Sequence, residues 1–308
     1  MEILDAAKNA VRVEETRLRH QFIDGERRSR IAHHKQAIAE RKKLALAPGA
    51  ASPLNLFADG DSWFDYPLPV TGRNDVIRSI GNHGNPPPFI LNLAHYGDEA
   101  RDLLGVKRRQ RIIDNLSDRD NGVFDAILFS GGGNDTVGNQ FCLWIQEYAP
   151  GMNPDQGINA PRLNDVLGVV RSAYEDLIAI RDQYSETSLI FIHGYDFAIP
   201  NGVGICEDSA GGKPDYLIGP WLQPSLELRK WMDPESEKQV VKEFLLQFRN
   251  LLVQIAKAHQ NVFYVETQGT LAPNEWANEL HPTPEGFDMI ARKFIGEMAA
   301  SPTLKGRI

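Results

Sequence analysis

The sequence predicts an α/β protein: a three-layer α/β/α sandwich on about five parallel strands, preceded by a helical arm. Three observations carry that expectation. Short apolar runs alternate with longer stretches of helical periodicity, in the order βαβα. The apolar runs are continuous and do not alternate with polar residues, as in parallel strands buried on both faces. Several of them end abruptly in Gly, Asp, Asn or His, where open α/β sheets place their ligands.

Residues 2–45 read as helix, rich in Ala, Glu, Arg and Lys, with sparse apolar positions at Leu4, Ala7, Val11, Leu18 and Phe22. Gly25 is expected to break this run into two helices, and Pro48-Gly49 to close it. The arm holds basic clusters, Arg27-Arg28-Ser29-Arg30 and Arg41-Lys42-Lys43, on a chain of net charge -8. His33-His34 on it are expected to be solvated. The arm is too polar to build its own core. It either packs on the rest of the chain or serves a partner, with peripheral membrane contact as one use. The expected division is an arm over 1–50 and a catalytic domain over 51–308.

The strands are expected at Leu54–Ala58, Phe89–Leu93, Phe124–Ser130, Leu189–His193 and Val262–Val265. Helical stripes run through Leu163, Val166, Val170, Ala173, Leu177 and Ile180, and through Val241, Phe244, Leu245, Phe248, Leu252 and Ile255. Asp233-Pro234 is a start signal for the second, and Thr283-Pro284 opens a last helix. Three long connections interrupt the alternation. The longest, 194–233, carries Tyr195, Phe197, Tyr216, Trp221 and Trp231. It reads equally as a substrate lid or as a satellite apolar cluster.

Composition narrows the classes. A chain of 308 residues with 42% hydrophobic and 24% charged residues is ordinary for a globular protein. The acidic balance excludes a nucleic-acid partner as the expectation. Cys142 and Cys206 have neither metal-ligand spacing nor a disulfide framework, and are expected as free thiols, with one bridge as the alternative. Met1-Glu2-Ile3-Leu4-Asp5 lacks an apolar signal core, and no apolar span is long enough for a membrane. The expected compartment is therefore cytoplasmic, with signal-independent export left open.

Four blocks fall at or near strand ends: Gly60-Asp61-Ser62, His95-Tyr96-Gly97, Gly131-Gly132-Gly133-Asn134-Asp135, and His281-Pro282. In a parallel sheet these ends face one crevice. Acyl transfer needs such a set: a serine to attack a carbonyl, a histidine to take and return the proton, and donors for the oxyanion. Ser62 and His281 suit the first two roles. The amides of Ser62 and Gly97 and the side chain of Asn134 suit the third. Trp63, His193, Tyr195 and Trp221 are candidate substrate contacts. Neither a metal nor a cofactor is called for.

These blocks, in this order over roughly residues 54–300, resemble the SGNH/GDSL hydrolase family. The resemblance implies a flavodoxin-like fold and hydrolysis of esters, thioesters or acyl groups on lipids and sugars, without a metal. It implies Ser62 as nucleophile, His281 as base, and Gly97 and Asn134 as oxyanion donors. One position departs. The family usually has Asp three residues before the histidine, and this chain has Asn278. An amide carbonyl there can orient the imidazole but not offset its charge. Glu279 is the first substitute acid, with Asp288 or a backbone carbonyl behind it.

Two rivals remain. Gly60-Asp61, Asp65 and Gly81-Asn82-His83 faintly echo a metal-dependent phosphoesterase, but no Asp-x-His precedes Gly60. A catalytically weakened binding module on the same fold is the other, with Asn278 as its sign.

Overall fold

β1 (Asn55–Gly60), β3 (Ala126–Ser130) and β4 (Leu189–His193) are buried at every position. Continuous apolar runs leave a strand no solvent face, so each must be covered by helices above and below. With β2 (Phe89–Asn92) and β5 (Val262–Val265) they form one sheet in the order β2-β1-β3-β4-β5. Every neighbouring pair is parallel. This is the flavodoxin-like order, and it reverses between β1 and β3. The computed structural model describes residues 2–43, 52–67, 74–84, 86–205 and 218–307, with side chains from Val11 onward. All five expected strands are present, within two residues at each end.

The helices are α1 (Glu2–Lys43), α2 (Val76–His83), α3 (Val106–Ser117), the single turn α4 (Gly133–Thr136), α5 (Ala160–Tyr184), α6 (Gln223–Leu228), α7 (Pro234–Ala258) and α8 (Pro284–Ala300). α2 packs on α8, while α5 packs on both α3 and α7, giving the outer layers. The start signals act as the sequence predicts. Asp233 caps α7 by accepting from Ser236 N, and Thr283 caps α8 by accepting from Gly286 N. The stripes of α5 and α7 are buried, except that Val166 is half-buried.

The expected break at Gly25 does not occur: α1 is one helix of 42 residues. A helix-interior glycine costs about 1 kcal/mol relative to alanine, and docking of the following residues offsets it. Arg27 Nε donates to Leu93 O at 2.9 Å, and its Nη2 pairs with Asp98. Arg30 reaches both Asp65 carboxylate oxygens at 3.1 Å and Ala94 O at 3.0 Å. Ile38 is buried. His34 is buried as well, against the expectation of a solvated pair; its ring stacks on Phe124 at 5.7 Å and contacts Asn121 O. Residues 11–22, in contrast, are exposed, including Val11, Leu18 and Phe22.

In the 194–233 connection, Tyr195, Trp221 and Trp231 are buried and Phe197 packs against the core. Tyr216 and Cys206 lie outside the described residues, as do Pro48 and Gly49. Among the described residues, no helix is long and apolar enough to cross a membrane.

Candidate active site

The carboxyl ends of β1 and β3 lie side by side, and their contact depends on a glycine. Gly60 has φ 152°, and a Cβ there would stand 2.3 Å from Ser130 O. Asp61 N continues the pairing to Ser130 O at 3.0 Å, after which the chain turns and presents Ser62. Gly132, with φ 101°, makes the matching turn after β3, where a Cβ would meet Phe248 at 2.7 Å. The two turns therefore meet at the reversal point of the sheet.

Ser62 Oγ lies 2.8 Å from His281 Nε2. His281 Nδ1 lies 2.9 Å from Asn278 Oδ1. The same oxygen accepts the backbone N–H groups of Leu280 and His281, at 3.1 and 2.9 Å. Asn278 Nδ2 donates to Tyr66 Oη at 3.3 Å. Two backbone donors on one side and a hydroxyl on the other fix which end of the amide faces the ring. Nδ1 must then carry the proton, and Nε2 is left to accept from the Ser62 hydroxyl. Tyr66 packs on the imidazole at 4.9 Å, and Trp221 stands edge-on to it at 5.4 Å. This burial pushes His281 down to about 3.

A buried network lies behind the serine. Asp61 Oδ1 accepts from Trp63 N at 3.0 Å and from the Ser130 hydroxyl at 2.8 Å. Tyr195 Oη donates to Asp61 Oδ2 at 2.5 Å and accepts from Gly133 N at 3.0 Å. His193 Nδ1 accepts from Tyr195 N at 3.3 Å, so its Nε2–H donates to Ser130 Oγ at 2.9 Å. Burial raises Asp61 to about 6, against the Tyr195, Trp63 and Ser130 hydrogen bonds, and lowers His193 to about 3. Tyr195 itself holds φ 59°, a conformation non-glycine residues rarely adopt.

An apolar cavity of about 50 Å³ opens beside Ser62 and His281. Trp63, Asn134 and Tyr195 border it, and Val241, Phe244, Leu245 and Phe248 of α7 form its apolar wall. Asn134 Nδ2 gives one hydrogen to Asp98 O at 2.9 Å, which ties it to the Gly97 turn. Asp135 accepts from Ala100 N and Arg101 N and anchors the chain beyond that turn.

The structure thus brings together Ser62, His281, Asn278, Asn134, Trp63 and Tyr195. It does not bring His193 to the cavity: that side chain is wholly buried against Ser130. Glu279 is not near the imidazole's Nδ1 proton. Its carboxylate takes the backbone N–H groups of Gly202, Trp221, Leu222 and Gln223, and so pins the 194–233 connection. Asp288 pairs with His83 and Arg292. The metal echo is dispersed: Asp65 faces Arg30 and Arg78, and Asp61 is enclosed by its network. Among the described residues, no group of three or more His, Cys, Asp or Glu could hold a metal ion. The α7 wall was not recognisable as a site in the sequence, since its residues form an ordinary core stripe.

No protein-family model and no curated protein matches this sequence. Solved structures do. A lipase from a goat rumen metagenome matches with TM-score 0.51 at 15% identity, over 79% of this chain and 97% of that one. An extracellular lipase from Streptomyces rimosus matches with TM-score 0.43 at 12% identity, over 79% and 99%. A member of the lipolytic G-D-S-L family from Veillonella parvula matches with TM-score 0.39 at 17% identity, over 80% and 98%. At this identity the first of these establishes a shared fold.

Proposed function

We propose that this chain is a serine esterase of the SGNH/GDSL type that cleaves carboxylic esters through an acyl-enzyme. The observation that carries the reading is the line Ser62 Oγ, His281 Nε2, His281 Nδ1, Asn278 Oδ1, with steps of 2.8 and 2.9 Å. It ends beside an apolar cavity whose rim includes Asn134. Ser62 Oγ attacks the ester carbonyl carbon as its proton passes to His281 Nε2. The Ser62 amide, the Gly97 amide and Asn134 Nδ2 donate to the oxyanion. Collapse of the tetrahedral species expels the alkoxide, which takes the proton from His281. Water repeats the sequence on the acyl-enzyme and frees Ser62 and the carboxylic acid.

The cavity size supports a short acyl group. About 50 Å³ accommodates little more than one or two waters' worth of volume. The alcohol portion, the sugar of an acylated sugar or a lipid-derived alcohol, stays outside this wall. A fluorophosphonate probe should label Ser62 and nothing else, and a series of p-nitrophenyl esters should lose kcat/KM beyond a chain of a few carbons. An unlabelled Ser62 in folded protein would favour the rival, a weakened binding module, of which Asn278 at the acid position is the sign.

A further inference from the structure

One of the three donors assigned to the oxyanion, the Gly97 N–H, sits in the turn His95-Tyr96-Gly97-Asp98. Asp98 N donates to His95 O at 3.1 Å, which closes a β-turn with Tyr96 and Gly97 at its centre. Gly97 holds φ 79° while Tyr96 keeps a negative φ, so the turn is type II. Its ends are fastened. His95 N donates to Gly60 O at 3.1 Å, two residues before Ser62, and Asp98 O accepts from Asn134 Nδ2 at 2.9 Å. Arg27 and Arg30 of α1 hold the carbonyls of Leu93 and Ala94 just ahead of it.

The peptide between Tyr96 and Gly97 is not fixed by those ends. Type I and type II turns share their end points and differ in turning this one peptide over. Glycine tolerates both, at φ of about −90° or about +80°. A planar trans peptide points its C=O and N–H in opposite directions. Whatever fixes the Tyr96 carbonyl therefore aims the Gly97 N–H.

His95 Nδ1 lies 2.8 Å from Tyr96 O. A carbonyl only accepts, so Nδ1 carries the proton. The ring is buried and stacks on the Tyr96 ring, with centroids 4.1 Å apart. Its Nε2 is sealed without a hydrogen-bond partner among the described residues, and burial disfavours a second proton. The ring is thus neutral, and its one N–H is committed to Tyr96 O. His95 and Gly97 both line the cleft under α1 and neither lines the Ser62 cavity, so only the direction of the Gly97 N–H can bring it to bear on the reaction.

We propose that His95 is a positioning residue for the oxyanion hole: it holds the Tyr96–Gly97 peptide so that the Gly97 N–H faces Ser62. This rests on the reading of Ser62 as an esterase nucleophile.

Four variants test it. His95→Phe keeps a flat ring against Tyr96 and removes the donor. His95→Asn puts an amide N–H close to the place of Nδ1, whereas His95→Gln puts one near the place of Nε2. On a p-nitrophenyl ester, His95→Phe and His95→Gln should lower kcat by about 10- to 100-fold with KM little changed, since a misaimed donor fails the tetrahedral species more than the bound ester. His95→Asn should recover most of the rate. Gly97→Ala strains the positive φ and favours the other turn. It should lose kcat to a similar degree, and combined with His95→Phe it should lose little more than either alone. An unchanged kcat in His95→Phe, or a His95→Asn no better than His95→Gln, would overturn the proposal. The Asn and Gln pair decides even if His95→Phe folds poorly. The esterase reading fails separately, if the unaltered protein neither cleaves esters nor takes the fluorophosphonate at Ser62. A crystal structure of His95→Gln then still decides the hold: a Tyr96–Gly97 peptide turned over supports it, and an unmoved peptide overturns it.

Discussion

Asn278 turns its side-chain carbonyl, not its amide nitrogen, toward His281 Nδ1, and Tyr66 together with two backbone N–H groups holds it so. An amide in the right orientation keeps the productive tautomer. It offers no negative charge to the imidazolium, whose cost falls on a ring already held near 3 by burial. Asn278→Asp should therefore raise kcat at neutral pH and move the His281 limb of the pH–rate profile upward, because a carboxylate favours the charged ring. An unchanged rate and profile would mean that the residue at 278 only shapes the turn. Asn278→Ala should be milder than His281→Ala.

Tyr195 joins the nucleophile turn to the Gly133-Asn134 turn through one hydroxyl. Tyr195→Phe should lower kcat by about tenfold with KM little changed, the mark of a group that positions others. It should also shift a limb near pH 6. That limb belongs to Asp61, which the tyrosine hydrogen bond holds down, so its loss moves the limb to higher pH. A drop in melting temperature with kcat and the profile intact would make Tyr195 a packing residue only.

Leu245 sits on the α7 wall of the cavity and is buried. Leu245→Ala should enlarge the acyl pocket and move the preferred ester toward longer chains. The same change should cost about 2–5 kcal/mol of stability, as for other buried leucines. Chain-length profiles and urea midpoints measured on the same preparation check both. An unaltered profile would show that the acyl group lies elsewhere.

The arm divides energetically near residue 22. Residues 11–22 are exposed, whereas Arg27, His34 and Ile38 are buried on the domain. Removing residues 1–21 should leave the melting temperature and the rate on a neutral ester unchanged. A chain starting near residue 50 loses those buried contacts, and we expect it to keep the four blocks but melt lower. Equal melting of both truncations and the full chain would show that the docked half adds nothing to stability.

How much of this was legible in the sequence varies with the physics involved. β1, β3 and β4 were legible because a strand buried on both faces must be a continuous apolar run. Ser62 and His281 were legible because parallel strand ends converge. His193 ends β4 and His281 follows β5 after a longer connection, so sequence alone offered both as candidates; the contacts separate them, His193 to Ser130 and His281 to Ser62. Glu279 was misleading for a related reason: adjacency to Asn278 says nothing about where its carboxylate points, and four distant amides decide that. The α7 wall was silent, since burying a side chain in a core and lining a cavity demand the same residues. The continuity of α1 through Gly25 was likewise invisible, being set by what the helix docks on.

That docking has a further consequence for the sheet. Phe89 and Leu93 donate to β1 at Leu54 O and Ala58 O, so the alternate residues Asn92 and Ala94 turn their carbonyls away from β1. Among the described residues, nothing in the sheet lies beyond β2. Arg30 of α1 takes up both carbonyls, at 3.4 and 3.0 Å. A bare strand margin is a template on which a second molecule can add its own strand, and charged side chains laid across it block that route. The arm thus guards the protein against edge-to-edge aggregation, and the arginine cluster that makes its sequence look like a binding tail acts as the sheet's border.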